Sequence, residues 1–265
     1  MDDAQIKEMV RARYGGIAEA AGDAACCGPA TSCCGDVSPG TPAAKSRNMG
    51  YSEAELAAVP EGANLGLGCG NPQAIAAMRL GEVVLDLGSG AGFDCFLAAQ
   101  QVGPAGRVIG VDMTHEMLKK ARENVAKIGA TNIEFRLSEL EHLPVADNTV
   151  DVAISNCVIN LVPDKAQVFR ETFRALKRGG RIVISDVVNQ TPLSAALRAD
   201  TALLCGCVAG AASLDQISGW LADAGFVDIK ITPKPESREL IATWAPGLGI
   251  EDYVVSASIE ARKPA

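Results

Sequence analysis

One short stretch constrains this chain more than any other. The apolar run Val83-Val84-Leu85 leads into Asp86-Leu87-Gly88-Ser89-Gly90-Ala91-Gly92, and a helical pattern follows over Phe93–Val102. A strand that turns through closely spaced glycines into a helix brings backbone N–H groups to the carboxyl end of a sheet, where a nucleotide-type ligand can rest against them. Glycine suits such a turn because it accepts positive φ and lets a ligand approach the backbone. A second glycine-rich run, Gly66-Leu67-Gly68-Cys69-Gly70, follows no clear strand and lacks that setting.

From Gly81 onward the pattern alternates. Strands are predicted at Val83–Leu87, Arg107–Val111, Ile133–Leu137, Val150–Ser155 and Gly180–Ser185, with helices at Phe93–Val102, Thr114–Ile128 and Lys165–Leu176. Such alternation implies a parallel sheet covered on both faces. Helical patterns at Ser194–Cys205 and Leu214–Ala224, a strand at Phe226–Thr232, a helix near Glu236–Trp244 and a strand at Tyr253–Ala261 complete a seven-stranded sheet. Before Gly81, a helix is expected over Gln5–Ala20, then a Gly, Pro, Ser, Thr and Cys-rich loop from Ala24 to Ala44. A short helix at Ser52–Ala58 and another opening at Asn71-Pro72 follow, the proline suiting a first helical turn. The fold class is α/β, a doubly wound and mostly parallel seven-stranded Rossmann-like sheet.

Length and 48% hydrophobic residues suffice for a large core. A formal charge of −8 works against nucleic acid as partner, since that partnership draws on Lys and Arg against phosphates. No run approaches a membrane span, and the start Met1-Asp2-Asp3 is acidic where a secretory leader is basic, so a cytoplasmic protein with no membrane contact is expected. Nine cysteines then stand out: Cys26, Cys27, Cys33, Cys34, Cys69, Cys95, Cys157, Cys205 and Cys207. A reducing compartment disfavours a disulfide scaffold, which leaves metal or metalloid binding, catalytic thiols, or burial as small apolar residues. Cys95, inside the helix after the glycine loop, fits burial best.

The strand Arg107–Val111 ends at Asp112, where a carboxylate can accept hydrogen bonds from both ribose hydroxyls and would repel a 2′-phosphate. The loop reads G-x-G-x-G with an acid two residues ahead, not the dinucleotide G-x-G-x-x-G. It resembles the first motif of class I methyltransferases, in which that acid, here Asp86, serves the methionine part of S-adenosylmethionine. Ser138-Glu139-Leu140-Glu141-His142-Leu143-Pro144 resembles the segment lining the adenine, and Leu176-Lys177-Arg178-Gly179-Gly180 the usual entry to the fifth strand. The resemblance implies cofactor contacts at Asp86, Gly88, Ser89, Gly90, Gly92, Asp112, Met113, Glu139, Leu140 and Asn156.

Three cysteine contexts narrow the likeness further. Asn64 to Pro72 around Cys69, Ser155-Asn156-Cys157-Val158-Ile159-Asn160-Leu161, and Cys207-Val208-Ala209-Gly210-Ala211 together resemble arsenite methyltransferases over nearly the whole chain. That resemblance implies Cys69, Cys157 and Cys207 as ligands of trivalent arsenic, the substrate, arriving as a thiol conjugate. Cys33 or Cys34 would be a fourth thiol that forms a disulfide during turnover, restored by an external thiol, a thioredoxin-type reductant or glutathione. Arsenic(III) is soft and thiophilic, and three sulfurs leave its lone pair free to attack a sulfonium methyl, so no general base is needed. His115 and His142 are read as bystanders. Cys205, two residues from Cys207, leaves the third ligand open between them.

Residues 1–50 are expected to form an N-terminal helix and Cys-rich lid, including Tyr14 and the Cys26–Cys34 loop. Residues 51–265 would form the methyltransferase domain, with arsenic-binding elements around 64–72, 155–161 and 194–212. Longer relatives carry a further C-terminal domain, which is not expected here. Two rivals stand beside this reading: a methyltransferase for an ordinary carbon, nitrogen or oxygen acceptor, and a non-catalytic thiol-rich metalloid binder. The first gives no reason for three substrate-side cysteines. The second must explain an intact glycine loop, and Cys26-Cys27 with Cys33-Cys34 lack the C-x-x-C spacing of structural zinc.

Overall fold

A computed structural model describes residues 1–20 and 41–265. Seven strands form one sheet: β1 Val83–Leu87, β2 Arg107–Asp112, β3 Ile133–Leu137, β4 Val150–Asn156, β5 Leu176–Asn189, β6 Val227–Lys234 and β7 Val254–Arg262. Their order is β3-β2-β1-β4-β5-β7-β6. Pairing from β3 to β5 is parallel, and β7 runs antiparallel between β5 and β6. The chain reverses its direction of winding between β1 and β4, so the crevice at their carboxyl ends is the expected ligand position.

Period-two alternation sorts each strand onto two cores. Leu85, Leu87, Ile109, Val111, Ala153, Ile182 and Ile184 face one cluster, shared with residues of the helices Lys165–Ala175 and Leu214–Ala224. Val84, Val108, Val152, Ile154 and Val183 face the other, which takes Cys95 and Phe96 from Phe93–Val102 and Leu118 and Ala121 from His115–Ile128. In chain order the helices are α1 Asp3–Ala20, α2 Pro42–Asn48, α3 Glu53–Ala57, α4 Gln73–Ala76, α5 Phe93–Val102, α6 His115–Ile128, α7 Lys165–Ala175, α8 Ala195–Ala199, α9 Thr201–Cys205, α10 Leu214–Ala224 and α11 Arg238–Ala242.

Several departures from the sequence reading have local causes. The loop read as ending at Ala44 gives way to α2, which Thr41 caps by accepting from Ala44 N, with Pro42 in the first turn. The helix read over Ser194–Cys205 is two helices, because Asp200 is extended (φ −74°, ψ 117°) and its side chain caps Ala202 and Leu203 N–H. The helix opening at Pro72 lasts only Gln73–Ala76: Ala77 turns left-handed at φ 45°, and Arg181 donates to the Ala76 and Ala77 carbonyls at 2.7 and 2.8 Å. Strand β5 runs four residues past Ser185. No helix among the described residues is long and apolar enough to cross a membrane.

Candidate active site

The glycine loop sits at the carboxyl ends of β1 and β2. Gly88 (φ 77°) passes so near Val158 that a Cβ would meet its methyls at 2.5 Å, and Gly92 (φ 94°) passes Phe135 with only 2.8 Å for a Cβ. Both positions therefore demand glycine on conformation and on space. Asp112 accepts from Gly90 N at 2.9 Å and Thr114 N at 2.8 Å, which fixes its carboxylate at the loop's edge. Each oxygen keeps a second lone pair for a ligand hydroxyl. Burial pushes the Asp112 carboxyl above its ordinary value. The Ser89 hydroxyl is buried with no partner among the described residues, a free polar group on the cradle.

The other residues expected at the cofactor divide. Leu140 is buried, and Met113 packs against the cysteine-bearing cluster. Asp86 lies inside the α5 face, where Cys95 Sγ donates to it at 3.2 Å, and burial followed by the neighbouring Asp94 holds its carboxyl well above the usual range. Glu139 is ion-paired with α1: Lys7 and Arg11 bind it at 2.6 and 2.5 Å, and Lys7 reaches Glu141 at 2.9 Å. Asn156 is a joint rather than a free arm. Its Nδ2 donates to Gly70 O at 2.8 Å and Tyr51 Oη at 3.0 Å, with Asp94 at 3.3 Å, while its Oδ1 accepts from Cys69 N at 3.1 Å. Asn156 thereby fastens the Gly66–Gly70 turn to the end of β4.

Three cysteines from distant segments meet beside this joint. Cys157 directly follows β4, its N–H donating to Ser185 O at 2.8 Å; Cys207 follows α9 and donates Sγ to Cys157 O at 2.9 Å; Cys69 donates Sγ to Ser185 O at 3.5 Å. The Cys157 thiol contacts the thiols of both others. Cys157 (φ 59°) and Cys207 (φ 65°) hold left-handed backbone conformations, which cost energy for any residue with a Cβ and persist only where surroundings enforce them. Burial keeps Cys69 above an ordinary thiol pKa, and contact with Cys157 followed by burial does so for Cys207. At Cys157 contact with Cys207 favours the thiolate, but contact with Cys69 and burial outweigh it. All three are thus neutral thiols until a ligand displaces their protons.

Cys205, on the last turn of α9, belongs to the same apolar cluster, and its carbonyl accepts from Tyr14 Oη at 3.2 Å. Val10 of α1 is buried in that cluster with the thiols, so α1 roofs the site through Val10 and Tyr14 and is tied down by the Lys7 and Arg11 ion pairs. Cys33 and Cys34, and the Cys26–Cys34 lid loop, lie outside the described residues. Cys95 is fully buried under the glycine loop.

Sequence reasoning missed two participants. Asp186 follows Ser185 on β5, and one of its oxygens lies within 4.8 Å of the Cys69 and Cys157 sulfurs. The signal was an acid closing an apolar strand run, as Asp86 and Asp112 do, but the strand was read as ending at Ser185, four residues too soon. Asp94 was the other: it gathers Tyr51 Oη at 2.8 Å, Gln73 Nε2 at 3.4 Å and Asn156, and burial pushes its carboxyl up to about 6.

A family model described as a methyltransferase domain matches residues 78–225. An arsenite methyltransferase of Halobacterium salinarum is 55% identical over this whole chain, which spans 68% of that relative. An arsenite methyltransferase of Aquipseudomonas alcaligenes is 42% identical over 62% of the chain and 49% of its own length. The human arsenite methyltransferase is 38% identical over 54% of the chain and 40% of its own length, so the chain spans half or less of these two relatives. Among solved structures, an arsenic(III) S-adenosylmethionine methyltransferase from Chlamydomonas reinhardtii superposes with a TM-score of 0.61 at 31% identity, over 86% of this chain and 75% of that one. With its seven-stranded sheet, its glycine cradle and its three converging thiols, the chain belongs to the arsenite methyltransferase family.

Proposed function

We propose that this chain transfers methyl groups from S-adenosylmethionine to trivalent arsenic held by Cys69, Cys157 and Cys207. The observation that carries the reading is the meeting of three thiols from three separate segments at the carboxyl end of β4, next to the glycine cradle. Loading conserves protons: each thiol forms an As–S bond while its proton leaves with the displaced hydroxide or carrier thiol, so neutral thiols are no obstacle. S-adenosylmethionine supplies an electrophilic methyl on sulfonium sulfur. The residues that suit it are the Gly88–Gly92 backbone and free Ser89 hydroxyl, with Asp112 toward the ribose. Three sulfurs hold the arsenic with its lone pair outward, so the chain's contribution is positioning, and the α1 roof keeps water away.

Methylation raises arsenic formally from trivalent to pentavalent, and return to the trivalent state takes two electrons. We assign these to a thiol pair, Cys33 or Cys34 with a site cysteine, reduced again by external thiol or a thioredoxin or glutathione system in the cytoplasm. Purified protein incubated with arsenite, methyl-labelled S-adenosylmethionine and a thiol should yield methylated arsenic. Labelled product independent of arsenite would instead favour an ordinary carbon, nitrogen or oxygen acceptor.

A further inference from the structure

The thiol site contains a group that arsenic does not use. Asp186 is 2% exposed, and one carboxylate oxygen accepts from Asn160 Nδ2 at 2.8 Å and Val187 N at 2.7 Å. Its other oxygen, Oδ2, is buried without a hydrogen-bond partner among the described residues. A buried polar atom left unpaired is costly, and such an atom in a folded protein calls for an explanation. A carboxylate oxygen of this residue and the sulfurs of Cys69 and Cys157 lie within 4.8 Å of one another, and Cys207 touches Cys157. Pyramidal arsenic(III) takes three sulfurs and keeps a lone pair, so it leaves the carboxylate idle.

We infer that, when no arsenic is bound, this site takes one divalent zinc ion, held by the sulfurs of Cys69, Cys157 and Cys207 and by the Asp186 carboxylate. Soft sulfur donors select zinc over magnesium or calcium, which want oxygen shells. A tetrahedral zinc ion asks for roughly 3.5–3.8 Å between donors, from Zn–S near 2.3 Å and Zn–O near 2.0–2.2 Å, so Cys69, Cys157 and Asp186 need to close by about 1.3 Å at most, and the Cys207 sulfur, outside that 4.8 Å group, must turn in from its bond to the Cys157 carbonyl. Three thiolates and a carboxylate around zinc carry the same net charge as a four-cysteine structural site. The Lys165 ammonium, fixed on the Val162 carbonyl at 2.9 Å, lies on the Asp186 side and offsets part of it. Asn160 holds the carboxylate in place through its hydrogen bond, as a supporting partner does around metal ligands. Zinc and arsenic would claim the same three sulfurs, so zinc would act as a competing ligand that arsenic must displace.

Zinc binding is measured on the full chain before any arsenic or S-adenosylmethionine is added, so its failure leaves the methyl-transfer reading untouched. Cys26, Cys27, Cys33 and Cys34 are replaced by serine, which leaves the buried Cys95 and Cys205 as the remaining thiols outside the proposed ligand set, and the protein is reduced with a phosphine and stripped by a chelator. Zinc is then titrated against a chromophoric chelator. One equivalent should bind, Cys157→Ser should abolish binding, and Asp186→Asn should weaken it at least tenfold. Stoichiometric arsenite should release the zinc. X-ray absorption on the unsubstituted site gives a reading that survives a misfolded variant: three sulfurs and one oxygen are expected. Four sulfurs, a shell of oxygen and nitrogen only, no binding, or zinc affinity indifferent to Asp186→Asn in a folded variant would each overturn the inference.

Discussion

The glycine cradle and the thiol site lie on the same sheet edge but are assembled in opposite ways. The cradle is contiguous: Asp86 to Gly92 is one strand end, one turn and one helix start, with Asp112 added from the adjacent strand. The thiols come from a turn before β1, the residue after β4 and the segment after α9; Cys157 and Cys207 sit in left-handed conformations that the surrounding fold must enforce, and the Asn156 joint fastens the Cys69 turn. A local loop fixes its own geometry, whereas a site gathered from three segments depends on the surrounding fold. The two halves should therefore fail separately when damaged at their centres and together when damaged at their seam.

The largest effect falls on the thiol half. Cys157 touches both other thiols, so Cys157→Ser should lower arsenite methylation by more than about 100-fold, the scale of losing a positioned reactant, while affinity for S-adenosylmethionine is unchanged. Cys207→Ser should match it. Cys69→Ser should keep some activity on monomethyl arsenite, which needs only two sulfurs. Methyl transfer to each arsenical, with calorimetry of cofactor binding in parallel, checks all three. Full arsenite methylation by Cys157→Ser would end the thiolate reading.

The seam comes next. Asp94 links Tyr51, Gln73 and Asn156, and burial raises its carboxyl from 3.8 to about 6. A raised carboxylate keeps its proton in the folded state at pH values where the unfolded chain has released it. Stability from this group is present at low pH and lost as pH rises from about 4 through 6, to a limit of about 3 kcal/mol for a shift of about two pH units. Asp186, also near 6, contributes in the same direction. Urea unfolding at pH 4.5 and pH 7 should show a larger loss in the parent than in Asp94→Asn, with Asp186 leaving the variant a residual slope. Equal slopes would remove Asp94 from the seam.

The contrast between the halves also decides what was legible in the sequence. Strand–glycine–helix order is a local signal, and β1, α5 and β3 match their predicted bounds. Convergence of thiols is not local: spacing alone left each cysteine with an even choice between site and core, and only the family likeness grouped Cys69, Cys157 and Cys207. Asp186 went unread because strand length is set by pairing with β7, which runs nine residues to Asn189, rather than by composition. The Lys7 and Arg11 partners of Glu139 were illegible because no sequence pattern connects it with residues more than a hundred positions earlier. Asp94 looked like an ordinary acid in a first helical turn, where it favours the helix dipole, and its buried partners arise only in three dimensions.

Damage to the cradle should be smaller than damage to the thiols. Asp112→Ala leaves the Gly90 and Thr114 amides without their acceptor and removes the proposed ribose contact, so cofactor binding should weaken by about 1–3 kcal/mol. Arsenic binding by the thiols, followed by the As–S absorption in the near ultraviolet, should persist. Unchanged cofactor affinity would show that the ribose is held elsewhere.

Cys205→Ser should have the smallest effect and separates the two members of the Cys205/Cys207 pair. Cys205 is as well buried as Cys69, Cys157 and Cys207, at 4% exposed, and shares their apolar cluster, so surface exposure alone does not distinguish it. Geometry does. Cys205 is the last residue of α9, and its carbonyl serves Tyr14 of the roof. Cys207 lies beyond Gly206 in a left-handed conformation that brings its thiol to Cys157. Replacing the Cys205 thiol by a hydroxyl exchanges a weakly polar buried group for one that wants a partner, a cost of about 1 kcal/mol in stability. Methylation of arsenite should stay near the parental rate, because the carbonyl bonded to Tyr14 belongs to the backbone and survives the change. An inactive Cys205→Ser beside an active Cys207→Ser would reverse the assignment and move the arsenic toward the roof helix, away from Cys157.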